Sequence, residues 1–232
     1  AFLADTRPGA YERVVDRLLE SPHYGEAWGR HWLDLARYAD SGGFEGDKDR
    51  PLMWRYRDWV VRAFNADLPW DRFVLEQLAG DELPDRTADT VVATGFLRLG
   101  TWNDEPNDPQ EYKYERLEDL VHVTSSAFLA YSVKCARCHD HKFDPISQED
   151  YYRFANAFWP GSIEPRDGKL LGGPSPEELG TPDVLGWTDV RRTPPPLHLF
   201  RKGDPKQPLG VVEPGQLSMV AELANLWEAV DE

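Results

Sequence analysis

The chain has 232 residues and a net charge of −15, with 41% apolar and 12% aromatic residues, including nine Trp. That is ample material for a packed core and excludes general disorder. So acidic a surface repels phosphate backbones and argues against nucleic acid, and no run of about 18 apolar residues offers a membrane span. The chain opens on Ala1 with no basic n-region and no apolar h-region. This is the expectation for a chain whose signal peptide has been removed, or for an internal piece of a longer protein.

The first 160 residues read as helices. "GAYERVVDRLLES" puts Tyr11, Val14, Val15, Leu18 and Leu19 on one amphipathic stripe. "SPHYGEAWGRHWLDLARYAD" starts with Ser21 as N-cap and Pro22 as first helical residue, with Trp28, Trp32, Leu35, Ala36 and Ala39 along one face. "DSGGFEGDKDRP" ends that helix as an acidic, Gly-rich loop. "PLMWRYRDWVVRAFNADLP" is a third helix. "WDRFVLEQLAG" is a short fourth that stops at Gly80, and "ADTVVATGFLRLG" a fifth closed by Gly100.

The sixth helix carries the chemistry. In "DPQEYKYERLEDLVHVTSSAFLAYSVKCARCH", Leu117, Leu120, Val121, Thr124, Phe128, Tyr131 and Ser132 keep one face. Cys135 continues that stripe and Cys138 sits one turn on, so a persistent helix would point both sulfurs toward the core. The seven carboxylates from Asp104 to Asp119, against Lys113 and Arg116, read as a solvated helix face. "SQEDYYRFANAFW" is a seventh helix, capped by Ser147. Residues 161–232 are Pro- and Gly-rich, with short apolar runs able to form a strand or two and a last short helix in "QLSMVAELANLWEAV". The fold class is therefore mainly α: an irregular helical bundle over 1–160, then an extended segment over 161–232 that wraps or links.

"KCARCHDHKFDP" holds both cysteines of the chain, and three chemistries compete for it. Two thiols three residues apart can bond covalently to a haem, with the following histidine as proximal iron ligand. That assigns Cys135, Cys138 and His139. Lys134, Arg137 and Lys142 would then be a basic cluster suited to propionates, or ordinary surface charge. A structural zinc would use Cys135, Cys138 and His139 or His141, but it wants four ligands, often in two pairs, and no second pair follows. A redox disulfide normally opens a helix after a strand, which is not the setting here.

A sixth iron ligand could come from His23, His31, His198, Met53 or Met219. His122 is too far along a continuous helix to share an iron with His139. His23 stands in a first turn that favours neutral imidazole, or it makes a helix-terminal hydrogen bond; Met53 reads more readily as core. The loop around Asp40 could hold calcium, yet lacks EF-hand spacing. Arg55 and Arg57 in "WRYRDW" read as stacked or paired with Asp58, Asp34 or Glu76. No Ser/His/Asp series, phosphate-binding Gly loop or catalytic carboxylate pair is evident.

"SPHYGEAWGRHWLDLARYADSGGFEGD", "WRYRDWVVRAFNADLPWDRFVLEQLAGD", "ATGFLR" and "CARCHDHKFDPISQEDYYRFANAF" together resemble the planctomycete cytochrome-c-type domain of large exported proteins. The resemblance runs from Tyr11 to Phe158. It implies haem c on Cys135, Cys138 and His139, and its histidine pattern also takes in His23 and His141. It implies export to the periplasm or cell surface, where haem attachment takes place, and a link to polysaccharide metabolism. "LFRKGDPKQPLGVVEPG" resembles the segment leading to that family's second domain, so a chain ending at Glu232 is expected to be a fragment or a truncated member. The expected function is an electron-transfer module with a protein redox partner of basic character. The alternatives are a zinc- or otherwise metal-stapled scaffold binding protein or glycan, and an enzyme with a site near the Asp40 loop.

Overall fold

The computed structural model describes residues 2–103, 105–161, 176–181, 184, 186–187 and 193–220. The architecture is mainly α, as expected. The helices are α1 (Ala10–Leu19), α2 (His23–Ala36), α3 (Trp54–Asn65), α4 (Trp70–Ala79), α5 (Ala88–Ala93), α6 (Pro109–Thr124), α7 (Gln148–Ala155) and α8 (Pro176–Leu179). Strands β1 (His198–Phe200) and β2 (Pro208–Val211) pair antiparallel. No helix among the described residues is long and apolar enough to cross a membrane.

α2 and α3 pack with their backbones close together, because α2 presents glycines to α3. A Cβ at Gly25 would lie 2.3 Å from the Val61 carbonyl oxygen. Asn65 stitches the junction, accepting from Gly25 N at 2.8 Å and donating to the Pro22 carbonyl at 2.9 Å. The buried face of α2 is accordingly Gly25, Gly29, Trp32 and Ala36. The sequence-expected face is corrected on this point: Trp28 and Leu35 are exposed, at 52% and 58%. Large side chains there would not let the helices approach so closely.

Trp32 anchors the core. Its indole N–H donates to Tyr56 Oη and Gln77 Oε1 at 3.0 and 2.9 Å, and Tyr56 Oη donates to Gln77 Oε1 at 2.7 Å. The rings of Phe73, Phe96 and Phe128 surround it. Its buried polar atom is thus paired within an aromatic cluster. α1 differs: its stripe exists, but Tyr11, Leu18 and Leu19 are exposed.

α6 departs most from expectation. It begins conventionally, with Asp108 capping the N–H groups of Gln110 and Glu111 and Pro109 at its start. It then ends at Thr124. A π-turn over Ser125–Leu129 follows, Ala130 takes a left-handed conformation (φ 57°), and a 3₁₀ turn spans Val133–Arg137. The expected continuous helix through Cys138 is therefore broken, and the separation between His122 and His139 that it implied falls with it.

The C-terminal segment lies on the helices. Trp187, Leu197, Phe200, Val212 and Leu217 are buried in the same core as α2, α3 and α6. Trp187 N donates to Thr94 Oγ1 at 2.6 Å. Most of the expected terminal helix falls in 221–232, outside the described residues.

Candidate functional site

The 3₁₀ turn sets the geometry of the cysteine stretch. Residues three apart eclipse one another in such a turn. Val133 and Ala136 form the inward pair and are fully buried. Cys135 and Cys138 form a second such pair; both are exposed and unpaired thiols. The expectation that both sulfurs point toward the core is overturned: both cysteines are exposed, because Val133 and Ala136 occupy the core positions, and Cys138 Sγ lies against Gly203 of the hairpin.

The turn is clamped from three directions. The Arg137 side chain pairs with Glu118 of α6 and donates to the Gly203 carbonyl at 3.3 Å. The Arg137 carbonyl accepts from Gln148 Nε2 at 2.8 Å and Tyr152 Oη at 3.1 Å, both on α7. Gln148 Nε2 also donates to the Phe200 carbonyl at 2.7 Å, which ties in the C-terminal hairpin. Lys134 Nζ lies 2.8 Å from Glu118 Oε1. Burial pushes the Glu118 carboxyl up, but Lys134 and Arg137 outweigh it and hold it below the usual range. The expected basic cluster is corrected accordingly: two of its three cations are engaged by one carboxylate, and Lys142 sits 5.1 Å from the Phe143 ring.

The two histidines of the stretch differ. His139 is exposed, and its Nδ1 lies 2.7 Å from the Asp140 carbonyl oxygen. A carbonyl only accepts, so Nδ1 is the donor here, and in the neutral ring the lone pair is then on Nε2. His141 is turned into its own loop: its Nδ1 lies 3.0 Å from Asp144 N, 3.4 Å from Phe143 N and 3.1 Å from Asp144 Oδ2. It organises the loop before α7, which accounts for a histidine beside His139 without ligation through Nδ1. Phe143, between these loops, is 82% exposed.

The first 161 residues match the family model PSCyt2, described as a protein of unknown function (DUF1549). This chain belongs to the PSCyt2 family. No curated protein and no solved structure matches it. The family description names no cofactor, and among the described residues of this PSCyt2 chain no group of three or more His, Cys, Asp or Glu is placed to hold a metal ion.

The other sequence candidates in this PSCyt2 chain are dispersed. His23 begins α2, which packs on α3, whereas the cysteine turn packs on α6 and α7. His23 Nδ1 is 2.8 Å from Glu26 Oε2, and no described contact carries it to His139. Met53 is buried in the core, Met219 packs against it, and His31 stands against the Trp28 ring. Arg57 pairs with Asp58 at 2.9 Å and Arg55 lies over Trp54. Arg57 also lines a cleft of about 760 Å³ with Arg30, Asp34 and Tyr38. Sequence reasoning missed one constellation: Arg37, Arg50 and Arg116 converge with Asp119 beneath the Asp40 loop. The available signal was Arg116, four residues before Leu120 and so on the apolar face of α6. It is buried, which corrects the reading of that run as wholly solvated.

Proposed function

We propose that this domain is a c-type haem-binding electron-transfer module, with Cys135 and Cys138 as attachment thiols and His139 as iron ligand. The observation that carries the reading is His139: its Nδ1 lies 2.7 Å from the Asp140 carbonyl oxygen, which fixes the ring and directs Nε2 outward to a metal, as a carbonyl behind a metal-binding imidazole does. The two thiols are free and exposed on one turn beside it, and the exposed Phe143 offers apolar surface nearby. The resemblance to cytochrome-c-type domains points the same way.

When bound, the haem would supply one-electron exchange at its iron. The chain's own part is positioning. Cys135 and Cys138 provide two sulfurs for thioether bonds, the Asp140 carbonyl orients the His139 ring, and the Glu118–Arg137 pair with Gln148 fixes the turn. Haem attachment takes place outside the cytoplasm, so this reading carries export to the periplasm or cell surface. A net charge of −15 favours a basic redox partner through complementary steering. Zinc is less well served, since it wants four protein ligands and no group of three or more His, Cys, Asp or Glu is gathered among the described residues.

The test is the full chain produced with haem-attachment machinery. A pyridine haemochrome spectrum should show thioether-linked haem, lost when both cysteines are changed to Ser. A colourless protein carrying stoichiometric zinc would overturn the reading.

A further inference from the structure

Three guanidinium groups meet where α2, α6 and the loop after Arg98 come together. Arg116 donates to the carbonyls of Leu99 and Thr101, both at 3.1 Å, and Arg50 donates to the Gly100 carbonyl at 2.6 Å. Arg37 and Arg116 share one carboxylate oxygen of Asp119. Gly100 makes the convergence possible: a Cβ there would lie 2.6 Å from Arg37 Nη1 and 2.7 Å from Asp119 Oδ2. The Trp102 ring covers Arg116 at 4.3 Å.

The charges do not balance. Among the described residues three cations face one carboxylate, and the other acidic group bearing on them is the Tyr112 hydroxyl. Burial, then the neighbouring Arg116 and Arg37, push the Arg50 guanidinium down to about 10. Four buried nitrogens carry N–H groups with no acceptor: Arg37 Nε and Nη2, Arg50 Nη1 and Arg116 Nε. Buried charge and unmade hydrogen bonds are both costly unless a partner satisfies them. The side chain of Arg116 is only 4% exposed, while those of Arg37 and Asp119 keep 27% and 32%, so the cluster opens to solvent on one side.

We infer that Arg37, Arg50 and Arg116 form a binding site for a dianionic oxyanion, sulfate or phosphate. The local excess of two positive charges matches a dianion, and planar guanidinium forks match its oxygens. The three arginines make no described contact with the cysteine turn, although the Asp119 charge is felt by Lys134 within it. Arg116 and Glu118 are two residues apart on α6, about 200° around the helix. Glu118 faces the turn through Arg137, so Arg116 faces away from it.

The experiment is calorimetric titration of the full chain with inorganic sulfate and phosphate against chloride at matched ionic strength. Saturable binding is expected, weakened at least about tenfold in Arg50→Gln, the scale of one charge-assisted contact. Methyl phosphate at pH 8 separates the sources: binding equal to phosphate points to an ester-borne group, and its failure to a free ion. Cys135→Ser should bind as the parent does, which keeps this test independent of the haem reading. Absence of saturable binding by the folded parent chain overturns the inference, as does binding unchanged in Arg50→Gln. Should that variant fail to fold, selenate located by anomalous diffraction decides, at the three arginines or elsewhere.

Discussion

The two sides of α6 are built on opposite plans. On one side the cysteine turn exposes its thiols and the His139 ring, and its fixing groups lie behind, in Glu118, Arg137 and Gln148. On the other, Arg116 is buried with its polar atoms directed at backbone carbonyls and at Asp119. One side keeps reactive groups outside and anchors them indirectly. The other puts charge itself into the interior, where its removal is felt by the whole fold. One helix thus fixes an exposed turn along one flank and buries a charged cluster along another.

That contrast can be broken by substitution. Asp119→Asn should cost most, about 2–3 kcal/mol in urea unfolding, because it leaves the arginines without their carboxylate; partial exposure keeps it below the deepest buried pairs. A loss under about 0.5 kcal/mol, the range of ordinary surface changes, would show that the cluster does not carry folding energy.

Asp150→Asn should cost about 1–2 kcal/mol. Asp150 completes the capping box of α7 with Ser147 and accepts from Ser218 N and Oγ at 2.9 Å, joining the C-terminal segment to the helices. Burial pushes its carboxyl up, but hydrogen bonds from Ser147 and Ser218 outweigh that and hold it below its ordinary 3.8. A lowered folded pKa stabilises the native state above the unfolded value, and the benefit is lost as pH falls through the folded value. The gap between parent and variant should therefore be constant above about pH 5 and shrink below about pH 4. Unfolding curves across that range check it.

Cys135→Ser should change stability by less than about 0.5 kcal/mol, the smallest effect, since the thiol is exposed and makes no core contact. In the parent chain without haem, both thiols should react with a thiol reagent in the absence of denaturant. Slow reaction of both would contradict the outward-facing turn.

Much of this was legible from sequence. The first four helices, the stop at Gly80 and the Ser147 cap follow from periodicity and capping chemistry, while the fifth helix, expected to close at Gly100, ends at Ala93 and gives way to a 3₁₀ turn over Thr94–Arg98. The break after Thr124 was not legible. "SSAFLAYS" keeps an apolar pattern, and a left-handed Ala130 has no compositional mark. The outward direction of the thiols depends on that break. The arginine cluster was hidden for another reason: its members lie on α2, the Asp40 loop and α6, with no spacing to connect them, and only tertiary packing brings them together. The buried face of α2 differs from the expected one because Gly25 and Gly29 are its contact residues, and side-chain size is no guide to burial where two backbones touch.

Gly203 stands in the hairpin with φ 73°, and a Cβ there would come within 2.7 Å of Cys138 Sγ. Its carbonyl also receives Arg137. The family match ends at residue 161, yet a wall of the cysteine turn is supplied forty residues later. The turn and the hairpin are therefore one packed unit: exchanging the segment after residue 161 for an unrelated one would keep the Cys135–Cys138–His139 triplet intact while removing the surface against which one of its sulfurs is set.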